Sequence, residues 1–326
     1  MIFALNLQNN PESALYILFG AVIIIFLIFD LGFFNKNAHK VSLKSATYQS
    51  IFWVVISVAF GFLIYKYDGG AEVSLEFFSA YLTEYALSVD NIFVILLILR
   101  YFKIKEEYYH NILFWGVLGA IVFRAVFIFL GAYLVAQFHW ILYIFGAFLV
   151  YSGVKIFFQK ADDDLDPEKN VIIKFARKYL KITKGDFNGK FFVKRGQKFL
   201  FTPLFLVILL IESTDLIFAV DSIPAVFAIT QSEFILYTSN IFAILGLRAK
   251  FFLLAGIIDR FYLLQKGLSF ILIFIGAKML LEFLDIHISI IVSFSIIVST
   301  LLLSILISIL VPQKKELSKE LTNLEK

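Results

Sequence analysis

The chain has 326 residues, 60% of them hydrophobic and 40 of them Phe, with a formal net charge of +4 and a mean hydropathy of +0.88. That composition excludes a soluble globular domain and points to an all-α, polytopic membrane protein. Cysteine is absent, which excludes disulfides, thiolate metal sites and thiol redox chemistry.

Nine apolar stretches of ~20 residues or more are predicted to cross the bilayer as helices. They cover 13–34, 46–66, 77–100, 108–135, 139–159, 201–230, 232–255, 261–284 and 287–311. The first is too long for a signal-peptide core and lacks a small-residue cleavage pattern, so it is read as a span. Connections are short except for the polar stretch 160–200. Loop charge sets the orientation. Lys36, Lys40 and Lys44 follow the first span, and Arg100, Lys103 and Lys105 follow the third. Eleven basic residues lie in 160–200; Lys250, Arg260 and Lys266 flank the turn after the seventh span. Lys314, Lys315, Lys319 and Lys326 mark the tail. The alternate loops hold Lys66 with Asp68, Glu72, Glu76, Glu233 and Asp285. An outside N-terminus and a cytoplasmic C-terminus satisfy every loop.

Four basic residues remain inside spans: Arg124, Lys155, Arg248 and Lys278. They recur in order. Aligning Ser88-Val89-Asp90-Asn91-Ile92 with Ala219-Val220-Asp221-Ser222-Ile223 also aligns Glu84 with Asp215. One span later Phe123-Arg124-Ala125 matches Leu247-Arg248-Ala249, and a further span on Gly153-Val154-Lys155 matches Gly276-Ala277-Lys278. Residues 77–159 and 201–284 therefore read as two copies of a three-helix unit. They are preceded by two leading spans in 1–76, joined by a cytoplasmic basic loop at 160–200, and followed by a last span and tail in 285–326. An odd number of spans per copy inverts the second relative to the first, a pattern common among secondary transporters.

The acids carry the chemistry. A carboxylate at the bilayer centre costs ~2.5–3.5 kcal/mol on insertion scales, so it is kept only where it faces a partner or a wet cavity. At ~100° per residue, Glu212, Asp215 and Ser222 share one helix face, as do Glu84, Ser88 and Asn91. Asp221 and Asp90 stand ~120° from Asp215 and Glu84. Pro224 crowds the carbonyl of Val220, so a local unwinding near Asp221 is expected to swing it toward Asp215; a break near Asp90 follows by symmetry alone. The polar set is carboxylate, amide and hydroxyl, including Thr214, with no mid-span His. Such oxygen sites suit Mn²⁺, Mg²⁺ or Ca²⁺ rather than Cu⁺ or Zn²⁺. The alternative is that the acids pair with Arg124 and Arg248 to hold helices together, although five acids exceed two arginines.

Other features are weaker. Asp162-Asp163-Asp164-Leu165-Asp166 lacks the glycine and closing Glu of a calcium loop and reads as a solvated charge run. His39, His110, His139 and His287 lie at span ends, as do Asp30 and Glu282. Asn240 can line the same cavity or bond a neighbouring helix. The basic loop is explained by topology, and no nucleic-acid partner is expected.

Thr202-Pro203-Leu204, the run from Glu212 to Thr230, the run from Thr238 to Ala249 and Glu84-Tyr-Ala-Leu-Ser-Val-Asp-Asn91 together resemble the TerC/Alx family of bacterial integral membrane proteins. The resemblance covers about residues 70–285. Gln231-Ser232-Glu233 departs from it, standing where many members have an acidic residue before Pro. The family belongs with the LysE-type exporters, and the resemblance implies a multi-pass protein of the bacterial inner membrane that exports divalent metal, chiefly manganese. Its motif acids fall on Glu84, Asp90, Glu212, Asp215 and Asp221, with Asn91 beside them. Tellurite resistance, which the family name implies, is expected only as an indirect effect.

The resulting expectation is a Mn²⁺ exporter, with Ca²⁺ as an alternative cargo, working by alternating access. Glu84, Asp90, Asn91, Glu212, Asp215 and Asp221 hold the metal; Ser88, Ser222 and Asn240 support it. Arg124, Arg248, Lys155 and Lys278 compensate charge, and protons exchange for metal on the carboxylates. The metal is cargo, and no organic cofactor or enzymatic activity is expected; the aspartates lack the Gly-x-Gly-Asp setting of intramembrane proteases. A metal-loading factor for exported proteins, or an exporter of a cationic metabolite, are the alternatives.

Overall fold

Helices make up most of the described residues, and the majority of them are of bilayer length. The computed structural model describes residues 11–33, 43–68, 70–138, 140–158, 182–183, 189–195, 198–255 and 263–311. At 11–12, 26–33, 90, 195, 198–199 and 221 it describes the backbone alone. The helices are α1 (Pro11–Phe33), α2 (Leu43–Tyr67), α3 (Gly70–Tyr101), α4 (Tyr109–Gln137), α5 (Ile141–Phe158), α6 (Pro203–Phe227), α7 (Glu233–Leu245), α8 (Leu247–Leu254), α9 (Leu264–Leu281) and α10 (Ile290–Leu310). Seven of them, α2 to α6, α9 and α10, are long and apolar enough to cross a membrane, and the pair α7–α8, bent by 41° at Gly246, makes an eighth. In α1 the described apolar portion, Ser13–Ile25, is shorter.

Local chemistry fixes the ends. Pro203 opens α6, where a missing N–H costs no helix bond. Ser232 and Ser289 accept from the N–H groups of Ile235 and Val292 at 3.4 Å, capping α7 and α10. Gly70, at φ +69°, makes the tight turn from α2 into α3.

The core forms around α3, which packs on α2, α6, α7 and α10. Its most apolar window is 65% buried, against 17% for α10 at the lipid-facing rim. Every residue of α7 except Glu233 and Tyr237 is buried. Rings wedge α7 against α1 and α2: Phe242 lies 4.8 Å from Phe60 and 5.7 Å from Phe19, and Phe234 lies 4.7 Å from Tyr16.

Backbones meet along the α5–α9 seam. A Cβ on Gly276 would come within 2.6 Å of the Gly146 carbonyl oxygen, and one on Gly153 within 2.8 Å of the Ser269 carbonyl oxygen. Ser269 Oγ donates to the Gly153 carbonyl at 2.7 Å.

Four sequence expectations change. The helix α6 runs unbroken through Asp221 to Phe227, because Pro224 falls in its last turn and little helix remains to be disrupted. No break occurs near Asp90 in α3 either. The interruption lies instead in the seventh span, at Gly246. Finally, the 160–200 loop contains an antiparallel hairpin, β1 (Phe192–Arg195) and β2 (Lys198–Phe201), tied to the start of α6 by Thr202 Oγ1 donating to the Lys190 carbonyl at 2.7 Å. The Asp162–Asp166 run, His39 and His139 lie outside the described residues.

Candidate cation site in the helix core

Arg124 is the hub. Its side chain, from the middle of α4, is 1% exposed. Its Nη1 forms an ion pair with Glu84 Oε1 of α3, while Nη2 and Nε reach Asp215 Oδ1 and Oδ2 of α6 at 3.4 and 3.5 Å. Nη1 also donates to Ser222 Oγ at 3.2 Å and to Asn240 Oδ1 of α7 at 3.5 Å. Asn91 Nδ2 donates to Asp215 Oδ1 at 3.2 Å. The helical spacing placed Glu84 with Asn91, and Asp215 with Ser222, on common faces, and those faces turn toward one guanidinium.

Acceptor oxygens are in surplus around it. Among the described residues, Glu84 Oε2, Asn91 Oδ1 and Glu212 Oε2 are buried and receive no hydrogen bond. Glu212 lies flush against Gly119 of α4, where a Cβ would meet its carboxylate. Unpaired buried oxygens of this kind are costly and call for a donor or a cation.

A lysine enters the helix core from the broken span. Lys250, 2% exposed, donates from Nζ to Ser88 Oγ at 2.6 Å and to the Tyr85 carbonyl at 3.0 Å, and sits 3.1 Å from the Tyr85 ring centroid. Arg248, two residues earlier, is buried as well. The sequence reading had put Lys250 at a span end. The bend at Gly246 turns α8 inward and carries it into the core.

Comparison with known proteins identifies the lineage. Residues 69–316 match the Integral membrane protein TerC family. The chain belongs to that family. It is 46% identical over 263 residues to an uncharacterized membrane protein of Myxococcus xanthus, covering 80% of this chain and 81% of the relative. A membrane protein of Rickettsia felis is 45% identical over 285 residues, covering 86% and 94%. One of Escherichia coli K12, named "Putative membrane-bound redox modulator Alx", is 44% identical over 288 residues, covering 86% and 89%. No solved structure matches the chain. This TerC-family chain is thus an integral, multi-pass membrane protein.

The remaining expected site residues divide. Glu84, Asn91, Asp215, Ser222, Asn240 and Arg124 come together; Ser88 instead bonds Lys250 and the Tyr85 carbonyl, and Glu212 lies against Gly119 of α4. Thr214 spends its hydroxyl on the Ile211 carbonyl. Asp90 and Asp221 lie in α3 and α6, with side chains outside the described residues. Lys155 is exposed on α5, and Lys278 donates to the Ala228 carbonyl at 3.5 Å near the end of α6, so neither pairs with Glu84, Glu212 or Asp215. Glu76, read as a loop residue, sits in α3 and accepts from Thr230 Oγ1 at 2.6 Å. Among the described residues no three His, Cys, Asp or Glu stand together as a ligand set.

Proposed function

We propose that this TerC-family protein exports a divalent metal cation, Mn²⁺ before Ca²⁺, across the bacterial inner membrane by alternating access. The observation that carries the reading is the surplus of buried acceptor oxygens on Glu84, Asn91 and Glu212 around a guanidinium shared by α3 and α6. Arg124 neutralises Glu84 and Asp215 when cargo is absent, and a hard cation competes for the same oxygens. Glu84, Asp90, Asn91, Glu212, Asp215 and Asp221 are the ligand set. Protons replace the metal on these carboxylates as it leaves, coupling export to proton entry.

Two inverted three-helix units, α3–α5 and α6–α9, are the moving parts of this reading. The α5–α9 seam supports it. Under the alignment that pairs Gly153 with Gly276, residue 146 pairs with 269, so the Gly146–Gly276 contact exchanges into the Ser269–Gly153 contact. With α1, whose 23 residues reach ~34 Å, the spans number nine, the N-terminus lying outside and the C-terminus in the cytoplasm. The absence of Cys leaves the redox wording of the Alx relative without a thiol basis in this chain.

Mn²⁺ efflux from proteoliposomes tests the proposal. Asp90→Asn and Asp221→Asn are expected to abolish flux while the protein still inserts and purifies as folded material. Flux retained in both variants would sink the assigned site, and wild-type Mn²⁺ binding without flux would favour the metal-loading role instead.

A further inference from the structure

The hairpin β1–β2 takes no part in the cation site, yet it is built onto the mouth of a span. Only Thr202 separates it from Pro203, where α6 begins its bilayer-length run. Two bonds fix the join: Thr202 Oγ1 donates to the Lys190 carbonyl at 2.7 Å, and the Thr202 N–H to the Phe191 carbonyl at 3.0 Å. Phe192 stands opposite Phe201 in the ladder, and both meet Phe205 in the first turn of α6. The three ring centroids lie 5.3 Å (Phe192–Phe201), 5.1 Å (Phe192–Phe205) and 4.6 Å (Phe201–Phe205) apart. The hairpin is therefore folded back on the helix end and does not project away from it.

Its outer surface is aromatic and basic. Phe192 keeps 51% exposure, and Lys190 and Lys194, two residues to either side, are exposed as well. On the other flank Gly189 packs on Tyr108, just before α4, where a Cβ would come within 3.0 Å of the ring. Lys105, near that ring, is paired with Glu107 at 3.7 Å, so the hairpin's own lysines carry the patch. A half-exposed ring cluster at the end of a membrane helix sits at the depth where apolar side chains enter the headgroup boundary. Lysines at that depth attract anionic lipid. We propose that this face of the hairpin docks on anionic phospholipid headgroups beside α6, with Phe192 seated among the lipids and Lys190 and Lys194 facing the phosphates. This holds whatever the cargo, and it does not rest on the export reading.

The test places an indole in the ring cluster with Phe192→Trp, in the full chain reconstituted into vesicles of phosphatidylcholine and phosphatidylglycerol in equal parts. Phe201→Trp is a second reporter should the first disturb folding. Bromine is carried on the acyl chains of one lipid or the other, and the quenching of wild type, which has three Trp of its own, is subtracted. Brominated phosphatidylglycerol is expected to quench the added indole more strongly than brominated phosphatidylcholine. The preference for the anionic lipid should fall about fivefold for each of Lys190→Gln and Lys194→Gln, and should persist in Lys190→Arg and Lys194→Arg. Equal quenching by the two lipids would mean apolar anchoring alone and overturn the proposal. Quenching by neither would place the hairpin in water and overturn it as well, as would a preference that survives loss of both lysines.

Discussion

Replacing Arg124 by Met keeps much of the side chain's bulk and removes its charge. The loss can be worked from the geometry. Glu84 and Asp215 lose their shared ion-pair partner, and Ser222 and Asn240 each lose a donor, in a place that is 1% exposed at Arg124. Breaking a buried pair from one side costs ~3–5 kcal/mol, because the partner charge is left uncompensated. Arg124→Met is therefore expected to unfold far more readily than wild type in metal-free detergent. Thermal unfolding with and without Mn²⁺ measures this. A cation that takes over the carboxylates restores stability, by ~2.7 kcal/mol at a hundredfold excess over its dissociation constant. Wild type should gain less, since Mn²⁺ must first displace the guanidinium. A metal-free variant as stable as wild type, or one that gains no more from Mn²⁺ than wild type does, would refute the view of Arg124 as a stand-in for cargo.

Two glycines separate packing from function. Gly276→Ala drives a Cβ to 2.6 Å from the Gly146 carbonyl and 2.8 Å from the Val150 nitrogen, both backbone, so neither can yield cheaply. A loss of ~1–3 kcal/mol in unfolding stability is expected, and unchanged stability would contradict the close seam. Gly119→Ala meets only the end of the Glu212 side chain, which can rotate away. Its melting temperature should stay near wild type while Mn²⁺ flux falls; normal flux would remove Glu212 from the ligand set.

The helices were legible because lipid demands long apolar runs, and the acids were legible because lipid penalises them. Helical spacing sufficed to bring Glu84, Asn91, Asp215 and Ser222 to one face each. Spacing does not report which span bends. Proline is the usual signal, so Pro224 drew attention while Gly246, at an ordinary φ of −77°, gave none. Lys250 was misjudged for that reason: along a straight span it lies toward the end, along a bent one it lies inside. The hairpin at 192–201 was readable, since Gly196-Gln197 between two apolar runs has the composition of a two-residue β-turn. The loop's overall basicity masked it. Lys155 and Lys278 were grouped with the site by repeat position alone, and their depth along α5 and α9 put them elsewhere.

The bent pair α7–α8 also constrains biosynthesis. It carries Arg248 and Lys250, each an expense of ~2.5–3.5 kcal/mol in bare lipid. Its neighbours are mainly α1 to α4, made earlier on the ribosome. A cradle of those four helices must therefore be waiting in the membrane when this segment emerges. Truncation of the leading spans would remove the α2 wall of that cradle and leave α3 and α4 alone to receive the segment that carries two basic residues.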